Sequence, residues 1–147
     1  MWSTADVMNE LRNHRQTCAK IAIIENTLKQ AESARCQYNI HTLEMQRQAL
    51  NDQKRAVESW LQILPTEERF LVATHLIQGL DWAKTIVEHE KMWGVMNGRS
   101  ERTLKRIQSK AVDRIVACLN QIESLSQSET KEVKWWILKS PLKLTRH

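Results

Sequence analysis

Between Ser3 and Leu64 the chain has neither glycine nor proline, and its 147 residues hold only three glycines and two prolines in all. A sheet protein of this length needs many tight turns, each demanding residues tolerant of special backbone angles, and those residues are scarce here. The expected fold class is therefore all-α, and the first stretch is rich in Glu, Gln, Arg, Ala and Leu, which lose little on entering a helix. The length suits one domain with an appendage. A composition of 41% hydrophobic and 27% charged residues places the chain away from disorder.

Residues 1–64 read as a long helical arm. Ile40, Leu43, Arg47, Leu50, Lys54, Val57, Leu61 and Leu64 alternate spacings of three and four, the seam of a coiled coil or helical hairpin. Val7, Leu11, His14, Cys18, Ile21, Glu25 and Leu28 carry a weaker version, and the pattern lapses from Ser33 to Asn39. One long rod and two antiparallel helices both satisfy it. Leu43, Leu50 and Val57 would leave an apolar stripe in water, so the arm is expected either to fold back or to pair with a second copy in a homodimer.

A second module is expected over residues 65–124. Pro65 disfavours helical geometry at Leu64, Thr66 is positioned to cap, and Glu67 and Glu68 suit a helix start. Phe70, Leu71, Ala73, Leu76 and Ile77 give the new helix a broad apolar face, and Gly79 stands where a left-handed residue would end it. Asp81 is placed to cap a helix from Trp82 to about Trp93 that buries Trp82, Ile86 and Val87. Gly94 to Gly98 is the one turn-rich stretch. Ser100 then caps a final helix to about Ile122, in which Leu104, Ile107, Ala111, Ile115, Cys118 and Ile122 share a face. Arg102, Lys105, Arg106, Ser109 and Lys110 cover the opposite side.

Net charge is +5, and it collects late: residues 99–130 carry six basic and four acidic groups, and 131–147 carry five and one. That asymmetry points to a polyanionic partner for the C-terminal part. A helix that buries one stripe and offers arginines and lysines from its first turns follows helix-turn-helix logic. Arg102 and Arg106, one turn apart, can each fork two hydrogen bonds to guanine or clamp a phosphate. Arg99, Lys105 and Lys110 suit phosphate contacts, and Ser100 with the helix N-terminus adds backbone donors.

LPTEERFLVATHLIQGLDW followed by GRSERTLKRIQSKAVDRI resembles the helix-turn-helix of sigma-70 region 4, and more closely the phage transcriptional regulators of the ArpU/RinA type. The shared pattern is an LP-x-E-E/R opening, an apolar helix ending before Gly, and S-x-x-T-x-x-R-x-x-x-K-A in the recognition helix. Here Ser100, Thr103, Arg106, Lys110 and Ala111 match it, over about 60 of 147 residues. The resemblance implies sequence-specific promoter binding, on double-stranded DNA, in a prophage or phage late-gene circuit. HEKMWGVMNGR departs from the family by lengthening the connection before the recognition helix.

The remaining residues narrow the field. SQSETKE reads as a polar linker, and WWILKSPLKLTRH as an apolar and basic tail within residues 125–147. Trp135 and Trp136 could dock on the N-terminal helices or a second subunit, on a polymerase or other protein, or on a membrane surface. Trp60, Trp82 and Trp93 are expected as core anchors. His14 and Cys18 could form half a metal site but read as buried or rim positions, and His75 and His89 have no partner at useful spacing. No nucleophile elbow, phosphate loop or dinucleotide fingerprint occurs, so no enzyme, cofactor or metal is expected. No wholly apolar run exceeds five residues, far from the ~20 that span a bilayer. The opening residues lack a secretory pattern, and three cysteines without CxxC spacing fit reduced thiols, so a cytoplasmic location is expected. The alternative function is a non-catalytic helical interaction module, a coiled-coil adaptor or polymerase-binding protein, in which DNA contact is incidental. Packing of Arg102 and Arg106 against the arm would favour that alternative.

Overall fold

The computed structural model describes residues 1–34 and 40–139, with side chains over 1–31 and 40–126. The described residues are all-α, with helices α1 (Thr4–Ala34), α2 (Ile40–Gln62), α3 (Thr66–Leu71), α4 (Trp82–Trp93) and α5 (Glu101–Lys139). Widened π-helical turns over Val72–Ile77 continue α3, and a single 3-10 turn, Val95–Asn97, precedes α5. No helix among the described residues is long and apolar enough to cross a membrane.

The arm is a hairpin rather than a rod. Val7 and Leu11 near the start of α1 share a core with Val57, Trp60 and Leu64 at the end of α2 and just beyond it, so the two helices run antiparallel. Ile21, Leu28 and Ala31 extend the buried stripe of α1, in which half-buried Ile24 takes the place expected of Glu25, which is exposed. Ser3 and Asp6 start α1 reciprocally: the Asp6 amide donates to Ser3 Oγ at 3.2 Å, and the Ser3 amide donates to Asp6 Oδ2 at 2.9 Å. These bonds hold the Asp6 carboxyl below its ordinary range.

At the α2–α3 corner the capping differs from expectation. Pro65 is the N-cap, with Thr66 the first helical residue, and the Pro65 carbonyl accepts from the Arg69 amide at 2.9 Å. Arg69 also closes the end of α2, donating to the Leu61, Gln62 and Leu64 carbonyls at 2.9, 3.4 and 3.1 Å. The Leu61 carbonyl also accepts from the Leu64 amide at 3.2 Å, so one cation adds donors to a run of carbonyls at the end of α2 and just beyond it. Gly79 ends the π stretch at φ +75°, where the Leu80 amide donates back to the Thr74 carbonyl at 3.3 Å.

One core crosses the sequence boundary at residue 64. Val72 and Leu76 of the π stretch and Ala111, Val112 and Ile115 of α5 pack with the hairpin residues. Helix α1 runs antiparallel along α5. Its N-terminal amine lies 3.1 Å from Glu123, Trp2 pairs with Asn120, and Val7 and Leu11 share the core with Ala111 and Val112. The hairpin is thus built into one core with the helices that follow it instead of projecting from them. Helix α5 also continues past Ile122 to Lys139, where a linker was expected. SQSETKE is polar but holds no Gly or Pro, and Gln, Glu and Lys rank among the better helix formers.

Candidate nucleic-acid interface

Two well-capped helices frame the interface. Asp81 caps α4, its Oδ1 accepting from the Lys84 amide at 2.8 Å, while Val87 stays 48% exposed instead of joining the core. Ser100 caps α5, its Oγ accepting from the Thr103 amide at 3.2 Å and lying 3.0 Å from the Thr103 hydroxyl. The connection between them spans residues 94–100, longer than the three or four residues of a usual helix-turn-helix turn, and begins at Gly94 with φ +88°.

Helix α5 divides cleanly. Leu104, Ala111 and Ile115 are fully buried, with Val112 and Gln108 beside them, whereas Arg102, Lys105, Arg106, Ser109 and Lys110 are all exposed on the far side. Among the described residues no carboxylate pairs with Arg102, Arg106 or Lys110. These cations cover roughly 12 Å of helix axis at 1.5 Å per residue, the scale of a B-DNA major groove. The hairpin lies against the buried side and leaves the basic side open.

Not every candidate is equally free. Arg99 Nε donates to Glu67 Oε2 at 3.0 Å, and His89 Nε2 donates to the same oxygen at 3.1 Å. Burial pushes the Glu67 carboxyl up, but the bonds and charges of Arg99 and His89 outweigh it and bring it below its ordinary 4.5. Arg99 therefore anchors the start of α5 to α3, which is a different task from the free phosphate contact expected of it. Thr103 is half-buried and turned to Ser100. Lys105 sits 5.9 Å from the Trp82 ring centroid and 3.9 Å from Glu101.

A cluster that sequence reasoning missed flanks Lys105. His75 stacks on Trp82 with ring centroids 3.8 Å apart, and its Nδ1 lies 2.7 Å from Gln108 Oε1, an acceptor that sets the ring proton on Nδ1. Burial is the main cause that lowers the His75 pKa from its ordinary value, and the charges of Arg12 and Lys105 lower it further, against the Gln108 bond. No spacing rule links His75, Trp82, Gln108 and Arg12, which come from four elements. Trp82 is thus a half-buried platform, while Trp60 is a core anchor at 6% exposure and Trp93 stacks on His89 at 4.6 Å.

The residues expected at a partner interface separate. Val57 is 2% exposed inside the chain's own core and has no surface to offer a second subunit. Leu43 and Leu50 are half-buried on the hairpin, and Leu50 lines an apolar groove of about 390 Å³ with Ile23, Ile24 and Ala49. Trp135 and Trp136 belong to the backbone course of α5, and their side chains lie outside the described residues. His14 Nε2 and Cys18 Sγ are 3.7 Å apart, with no third metal-ligating side chain grouped with them among the described residues. Cys18 and Cys118 are free thiols, and Cys36 lies outside the described residues. Comparisons with protein-family models, with curated proteins and with solved structures found no match.

Proposed function

We propose that the protein binds double-stranded DNA through the exposed side of α5 and acts as a sequence-specific transcriptional regulator. The observation that carries this reading is the division of α5. Three cations free of ion pairs among the described residues stand on one side of a helix whose other side is locked in the core. Such a helix presents its side chains with little freedom to lose, which favours reading base edges over loose attraction to phosphates. Arg102 and Arg106 are the base-reading residues, Lys105 and Lys110 the phosphate contacts, and Ser109 an added hydrogen-bonding group. The resemblance to phage regulators of the ArpU/RinA type supports a role at phage promoters.

Selection of binding sites from random duplex DNA, followed by fluorescence anisotropy on the enriched sequence, tests the reading. Enrichment of a defined site is expected. Failure to enrich any sequence, together with unchanged low-salt affinity in Arg106→Ala and Lys110→Ala, overturns it. A second reading, a helical protein-interaction module, draws on the hairpin groove, where Ile23 is 65% exposed. It predicts that Ile23→Glu abolishes a protein contact while duplex affinity stays as it was.

A further inference from the structure

We infer that Arg12 and Arg15 of α1 grip the phosphate backbone of duplex DNA beside the base-reading side of α5, making the N-terminal hairpin part of the DNA interface. This extension rests on the reading of α5 proposed above.

The antiparallel course of α1 along α5 sets the placement. Trp2 sits level with Asn120, Val7 and Leu11 meet Ala111 and Val112, and the next turn of α1 reaches the π stretch that carries His75. Arg15 Nη1 donates to the Gln78 carbonyl at 3.1 Å, which ties α1 to the end of that stretch just before Asp81 and Trp82. Trp82 carries Lys105 over its ring and His75 on its face, the Arg12 charge reaches that same His75, and Arg15 is tied to the Gln78 carbonyl four residues before Trp82.

Charge balance points to an anionic occupant. Arg12 and Arg15 are exposed and unpaired with any carboxylate among the described residues, and the one ion pair of Lys105, to Glu101, is 3.9 Å long and half open to water. A contact of that kind is worth little. The charges that reach His75, those of Arg12 and Lys105, are both positive. Such a ledge continues the basic side of α5 across Lys105 onto a second helix. Phosphates arrayed along a duplex strand match it, because a strand that passes the mouth of the groove occupied by α5 meets the flanking helix next.

Salt-dependent anisotropy on the selected duplex tests the inference, with far-UV circular dichroism confirming the fold of each variant. Arg12→Gln combined with Arg15→Gln is expected to weaken binding to selected and random duplexes alike, and to flatten the salt dependence by roughly one unit per arginine. Arg12→Lys combined with Arg15→Lys, which keeps both charges, is expected to retain most of the wild-type slope. Lys20→Gln, a charge loss elsewhere on α1, is expected to leave the slope unchanged. Unchanged slope in the double Gln variant overturns the inference, as does an equal loss in Lys20→Gln or in the double Lys variant. In those three outcomes wild-type binding and the Arg106 effect stay intact, so the reading of α5 survives. Absence of duplex binding by the wild-type protein overturns both.

Discussion

The backbone of Trp2 and the side-chain amide of Asn120 form a closed pair of hydrogen bonds across 118 positions of sequence. The Trp2 amide donates to Asn120 Oδ1 at 2.7 Å, and Asn120 Nδ2 donates to the Trp2 carbonyl at 3.1 Å. A primary amide can satisfy one backbone unit in this way because it carries donor and acceptor side by side. The bond pair pins the start of α1 to α5, and the Trp2 ring then meets Trp60 edge-on at 5.5 Å. Asn120→Ala is expected to lower the unfolding free energy by roughly 1–3 kcal/mol, as two bonds are lost and partly buried groups are stranded. Asn120→Asp, which keeps the acceptor and loses the donor, should fall between the two in urea midpoint.

Removal of residues 1–60 should unfold the rest. Val7, Leu11, Val57 and Trp60 supply one side of a core whose other side is Val72, Leu76, Ala111, Val112 and Ile115. Each such apolar side chain contributes roughly 1.5–3 kcal/mol by burial, so losing four partners removes about 6–12 kcal/mol, as much as the whole stability of a typical domain, ~5–15 kcal/mol. Circular dichroism of the 61–147 fragment is expected to show no cooperative melt. A sharp melt would mean that residues 61–147 fold without the hairpin.

Arg106→Ala and Lys110→Ala should separate specificity from strength. Loss of Arg106 is expected to cost roughly 1–3 kcal/mol on the preferred site and to relax discrimination at one base position. Loss of Lys110 should weaken all duplexes equally and reduce the salt slope by about one. Both residues are exposed, so melting temperatures are expected to stay at the wild-type value, and anisotropy read alongside thermal melts checks both points.

Stability should fall in two stages as pH drops. Burial holds His14 and His75 below the ordinary 6.5, so the unfolded chain binds protons first and stability declines as pH falls below that value. Glu67 lies below 4.5 in the folded chain, so the contribution of its contacts is complete above that pH and is lost as pH falls through its folded value. Urea midpoints at about pH 7.5, 5.5 and 3.5 should show the first decline reduced in His75→Gln and the second reduced in Glu67→Gln. Parallel declines in all three proteins would place the proton uptake elsewhere.

Much of the secondary structure was legible because capping and periodicity are local. Asp81, Ser100 and Gly79 each act on residues within a turn or so, and the buried stripe of α5 from Leu104 to Ile115 follows from 3.6-residue spacing alone. The extension of α5 was legible in principle too. The stretch from Arg99 to Ser140 contains no Gly or Pro, and a polar composition by itself does not end a helix. The basic side of α5 followed from the same wheel as its apolar side.

What the sequence by itself determined, then, is that the chain is helical, where α4 and α5 begin, and which side of α5 must be buried. Tertiary structure alone decided that the arm is a hairpin, because that choice depends on whether Val7 and Leu11 find Val57 and Trp60 some 50 positions away. It also decided that α1 lies along α5, which turns Val57 from an interface candidate into a core residue, brings the charges of Arg12 and Lys105 to His75 and ties Arg15 to the Gln78 carbonyl. Arg99 was drawn to Glu67, and His75 between Trp82 and Gln108, by the same long-range packing. Burial and charge pairing depend on surfaces brought together from distant parts of the chain, and no local pattern encodes which surfaces those are.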